Sequence, residues 1–125
     1  MNLNIPYMET DNKLLNDAYR IAAGDIVGNI VYYQNGLLTE EKPCMIAGLD
    51  YNTPWTRDTA INIWNALSIL SPEVSKNTLL AVLEEEEGNI YIGGQYWDSI
   101  IWMIGAREYC RFHKDDNFYR LAFEA

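Results

Sequence analysis

The chain has 125 residues, 49% of them hydrophobic and 22% charged, which fits a single compact domain spanning 1–125 and excludes a disordered or fibrous protein. Nine Lys and Arg stand against 18 Asp and Glu, and a net charge of -9 argues against binding a nucleic-acid backbone or anchoring to an anionic membrane surface. No apolar run approaches the ~20 residues of a membrane helix. Met1-Asn2-Leu3-Asn4-Ile5-Pro6 has neither the basic nor the apolar region of a leader, so a cytoplasmic chain is expected.

In chain order, Thr10 or Asp11 is a plausible N-cap for a first helix reaching about Gln34, with Asn35-Gly36 as its stop. Leu14, Leu15, Ala18, Ile21, Ala22 and Ile26 fall on one third of its circumference and are expected to face the core. Gly24 and Gly28 mark either a close helix contact or a weak spot costing about 1 kcal/mol each. A long loop follows through Pro43, Gly48 and Pro54, long enough to be functional. A second helix is read from about Arg57 to Leu70. Ser71-Pro72-Glu73, with Ser at the cap and Pro at the first helical position, starts a third. That third helix is expected to reach Glu84-Glu85-Glu86-Glu87-Gly88, a solvated acidic run whose charges oppose the helix dipole and fray its end. The stretch 89–95 reads as turns, a fourth helix runs from Trp97 or Asp98 to Phe112, and Asp115-Asp116 opens a fifth. The expected class is all-α.

Two cysteines, Cys44 and Cys110, are too few for a disulfide framework and show no zinc spacing, so both read as reduced, partly buried thiols. His113, the only histidine, sits at a helix C-terminus and reads as structural or solvated. No metal or organic cofactor is expected. Helices two and four are apolar on all sides: Ala60, Ile61, Ile63, Trp64, Ala66, Leu67, Ile69 and Leu70 in one, Ile100 to Ile104 in the other. Five helices give too few neighbours to cover them. The expected partner is therefore a second copy of the chain, or the remainder of a larger fold cut short.

Candidate chemistry lies at two loop-to-helix junctions, Tyr51-Asn52-Thr53-Pro54-Trp55-Thr56-Arg57-Asp58 and Gly93-Gly94-Gln95-Tyr96-Trp97-Asp98. Aromatic faces stack on sugar rings, while Asp and Arg hydrogen-bond hydroxyls. A carboxylate beside a guanidinium stays ionised and suits a ligand acceptor better than a proton donor. Equally, both Asp residues can be helix caps and both Trp residues core anchors.

Trp55-Thr56-Arg57-Asp58 before an apolar helix, then Ser71-Pro72-Glu73, then Tyr96-Trp97-Asp98-Ser99 before another, resembles the start of an (α/α)6 glycosidase domain of the glucoamylase, glycogen-debranching and neutral-invertase clan. The resemblance covers about 10–125 and implies about two and a half helical hairpins of a toroid. It implies that Arg57 and Asp58 bind sugar, or that Asp58 is the proton donor, with Trp97 and Asp98 lining the same cavity beside Trp55. Six hairpins need about 200 residues, and inversion uses two carboxyl groups roughly 6.5–9.5 Å apart. A partial glycoside hydrolase with an incomplete carboxylate pair is the expectation, for inverting hydrolysis of α-glucosidic or similar bonds in the full enzyme. The alternative is a helical oligomerisation or interaction domain without catalysis. Sugar titration separates the two.

Overall fold

The computed structural model describes residues 5–125; Met1 to Asn4, part of the stretch read for a leader, lie outside the described residues. Helix α1 (Lys13–Gly28) starts where the Asn12 side chain accepts from the Leu14 and Leu15 backbone N–H groups. It stops at Asn29, six residues before the expected boundary, because Ile30-Val31-Tyr32-Tyr33 is a β-branched and aromatic run that suits a strand. That run forms β1 (Ile30–Tyr33), antiparallel to β2 (Lys42–Met45), with Val31 opposite Cys44.

Helix α2 runs over 56–70 and is interrupted by a π-helical stretch, Ile63–Leu67, through which the backbone stays right-handed. The Asn65 amide donates to the Ile61 carbonyl, satisfying an acceptor beside the wide turn. Helix α3 (Pro72–Ala81) begins as read, with the Ser71 hydroxyl accepting from Val74 N. It ends at Ala81 rather than running into the acidic residues. Leu83–Glu86 is instead strand β3, paired antiparallel with β4 (Asn89–Ile92). Glu87 and Gly88 both take positive φ, 53° and 81°, as a two-residue hairpin turn requires. Helices α4 (Asp98–Phe112) and α5 (Asp116–Glu124) match the reading, and Asp115 caps α5 by accepting from Phe118 N.

The class is therefore mixed, five helices with two antiparallel two-stranded sheets, and the all-α expectation with its helical hairpins of a partial (α/α)6 toroid is corrected. The cause lies in the two hairpins, whose strands are four residues each and read as a helix end and loop in isolation.

Helices α2 and α4 lie side by side and run in the same direction, since Arg57 meets Asp98, Ala60 meets Gly105, and the Ser68 carbonyl meets the His113 ring. At Gly105 an added Cβ would sit 2.8 Å from Ala60 Cα, so the close helix contact occurs there. Gly24 and Gly28 face no neighbour within 4 Å, which leaves them as weak spots in α1. The core gathers Ile63, Leu67, Val74, Leu79, Leu83, Trp102, Tyr109 and Phe118 from α2, α3, β3, α4 and α5. The indole N–H of Trp102 donates to the Leu79 carbonyl at 3.2 Å, satisfying the polar tip of a fully buried ring.

The stripe expected to bury α1 is largely exposed: Leu14 at 79%, Leu15 at 49% and Ile21 at 65%, with only Ile26 packed on the core. Helices α2 and α4 likewise leave Ile61, Trp64, Ile69, Ile100, Met103 and Ile104 in solvent. No helix among the described residues is long and apolar enough to cross a membrane.

Candidate functional site

The N-terminal ends of α2 and α4 and the Val82–Gly93 end of the β3–β4 hairpin converge on a cleft of about 340 Å3. It takes Trp55, Thr56 and Arg57 from the first junction, Gly93, Gly94, Gln95 and Asp98 from the second, and Glu84 from β3. The two junctions are locked together: Thr56 Oγ1 donates to the Gly93 carbonyl at 2.7 Å, and Arg57 Nη1 donates to Asp98 Oδ1 at 2.7 Å.

Asp98 is buried, and both of its oxygens are used, Oδ1 by Arg57 and Oδ2 by the Gln95 backbone N–H at 2.7 Å. Gly94, at φ 119°, makes room for it: a Cβ there would lie 2.2 Å from Asp98 Oδ2 and in a backbone region that L side chains avoid. Asp98 is thus a scaffold that holds Arg57 and closes the 95–98 turn. Arg57 keeps its remaining donors, and its guanidinium carbon lies 5.9 Å from the Trp55 ring centroid. Tyr51 braces that indole edge-on, with centroids 5.2 Å apart. Trp55 remains 43% exposed, which leaves ring surface for a ligand.

Of the residues singled out in the sequence, Trp55, Arg57 and Asp98 come together in the cleft. Asp58 and Trp97 do not line it, and Trp97 lies 62% exposed outside it. Thr56, named within the first junction but given no role of its own, and Glu84 also line it. Thr56 ties the junctions, and Glu84, read within a solvated charge run, brings a carboxylate to the rim. The signal that could have found Glu84 is its diagonal relation to Gly93 across a hairpin announced by Glu87-Gly88-Asn89.

The His113 Nε2 lies 2.6 Å from the Ser68 carbonyl, near the end of α2. Both cysteines are free. Burial pushes the Cys44 thiol up to about 12, outweighing a hydrogen bond with Thr78, and raises Cys110 as well, so neither is an activated nucleophile. Among the described residues no group of three or more His, Cys, Asp or Glu could hold a metal ion.

No protein-family model matches the chain, and comparison with curated proteins and with solved structures likewise finds no match.

Proposed function

We propose that the cleft is the carbohydrate-binding site of a glycoside-hydrolase-like protein. The observation that carries this reading is the pairing of Arg57 and Trp55, a guanidinium fixed from behind by buried Asp98 and an indole braced by Tyr51, both opening into one cleft. A pyranose offers the complementary groups, an apolar C–H face for the indole and adjacent hydroxyl oxygens for a donor fork. Hydrolysis of the family's kind needs two free carboxyl groups. Asp98 has both oxygens committed, and Asp58 lies outside the lining, so the reading gives this chain binding and orientation of the sugar rather than bond cleavage. Inverting hydrolysis at an α-glucosidic or similar bond is the reaction such a site would serve in a complete enzyme.

The test is a titration with neutral α-linked glucose and mannose disaccharides, read by tryptophan fluorescence. Saturable binding is expected, weakened at least tenfold in Arg57→Ala, as loss of charged hydrogen bonds implies. Absence of any response across the panel would overturn the reading.

A second reading, a helical interaction domain, is favoured by the surface. The chain exposes 8277 Å2, against about 6,800 Å2 for a compact monomer of its mass. Ile61, Trp64 and Ile69 on α2 and Ile100, Met103 and Ile104 on α4 contribute to that excess. This reading predicts no fluorescence response to sugar and, by light scattering, a native mass at least twice that of the chain.

A further inference from the structure

We propose that Glu84 is the ligand-facing acceptor of the cleft and makes it selective for neutral sugars over anionic ones such as uronates; this rests on the carbohydrate reading above. Three observations meet at this side chain. Glu84 lines the cleft from β3, on the wall contributed by the hairpin, whereas Arg57 and Trp55 come from the 55–57 junction. It has no hydrogen-bond or ion-pair partner among the described residues and is exposed. Its carboxylate occupies the space a side chain at position 93 would take: a Cβ on Gly93 would lie 2.7 Å from Glu84 Oε1. The chain leaves that position bare, and Gly93 is itself fixed, its N–H donating to the Val82 carbonyl and its own carbonyl accepting from Thr56.

Charge then sets the class of ligand. Of the residues lining the cleft only Arg57, Asp98 and Glu84 carry charge, and Asp98 neutralises Arg57 at 2.7 Å. Glu84 is left uncompensated, and the neighbouring Glu85, Glu86 and Glu87 and the net charge of -9 add to the negative field. A uronate carboxylate entering beside Glu84 meets like charge, whereas a hydroxyl donates to it. The free donors of Arg57 and the free oxygens of Glu84 thus suit a ligand whose hydroxyls accept on one side and donate on the other.

The experiment uses the full chain and the same fluorescence titration. Wild type is titrated with the neutral disaccharide panel, then with glucose and glucuronate, which differ at C6 alone. Glu84→Ala should weaken the neutral sugars about tenfold. Glu84→Gln should lose less and should bind glucuronate more tightly than wild type does. Melting temperatures of both variants should match wild type, since Glu84 is exposed. Wild-type affinity for the neutral panel in Glu84→Ala, or equal wild-type affinity for glucose and glucuronate, would overturn the inference and leave the carbohydrate reading standing. Failure of every sugar to bind wild type would remove both.

Discussion

The two loop-to-helix junctions carry the same ingredients, an aromatic pair and an aspartate entering a helix, yet the fold uses them in opposite ways. At 51–58 the aromatic Trp55 and the cation Arg57 line the cleft while Asp58 does not. At 93–98 the aspartate turns inward, and Tyr96 and Trp97 are left in solvent at 101% and 62% exposure. The difference traces to Gly94, which allows the 94–98 turn to close on the Asp98 carboxylate, and to Ala60 meeting Gly105, which draws the two helix starts together. One junction therefore presents an aromatic ring and a cation to the cleft, and the other supports them from behind. A sequence pattern of Trp and Asp does not distinguish a working face from its scaffold; the hydrogen-bond partners do.

The sharpest way to break this comparison is to remove each aspartate. Asp98→Ala strands the Arg57 guanidinium and the Gln95 N–H, and should destabilise the protein by about 3 kcal/mol in urea unfolding. Asp58→Ala should stay within about 0.5 kcal/mol of wild type. Equal losses would mean the two junctions are equivalent after all.

A control lies near the far end of α4, where Asp115 caps α5, pairs with Lys76 at 2.7 Å and accepts from the Tyr109 hydroxyl. The hydrogen bond from Lys76, then the Phe118 N–H, hold its carboxyl below the ordinary value of 3.8. A lowered folded value contributes stability that is complete above the ordinary value and is lost as the pH falls through the lowered one. Asp115→Ala should cost about 1 kcal/mol at neutral pH by loss of the cap, and Asp115→Asn, which keeps a cap oxygen, should flatten the fall in melting temperature below about pH 4. Neither variant should alter sugar titrations. An effect of similar size is expected for Thr56→Val, which cuts the tie to the Gly93 carbonyl. Thermal unfolding should show about 1 kcal/mol lost, with weaker sugar binding because the two walls lose register.

Much of the helical frame was legible. Ser71-Pro72 and Asp115-Asp116 announce α3 and α5 because capping is local chemistry, settled within four residues. The strands were not, because Ile30–Tyr33 and Leu83–Glu86 acquire their identity from partners 3 to 15 positions away, and a four-residue run carries no period of its own. The site was half legible. Aromatic and charged residues crowding a junction pointed to Trp55, Arg57 and Asp98. The commitment of Asp98 to Arg57 depends on a contact across 41 residues, and the placement of Glu84 depends on a hairpin that the reading had assigned to a helix end.

The π-helical stretch at Ile63–Leu67 works as a phase shifter. Upstream of it α2 must aim Thr56 and Arg57 at the cleft; downstream it must offer the Ser68 carbonyl to His113. A uniform α-helix would couple those two directions rigidly, whereas one wide turn advances the angular setting by roughly a residue. Deleting a single residue within 63–67 should therefore rotate the two halves out of step, while the same deletion in the 48–53 loop would leave both settings untouched.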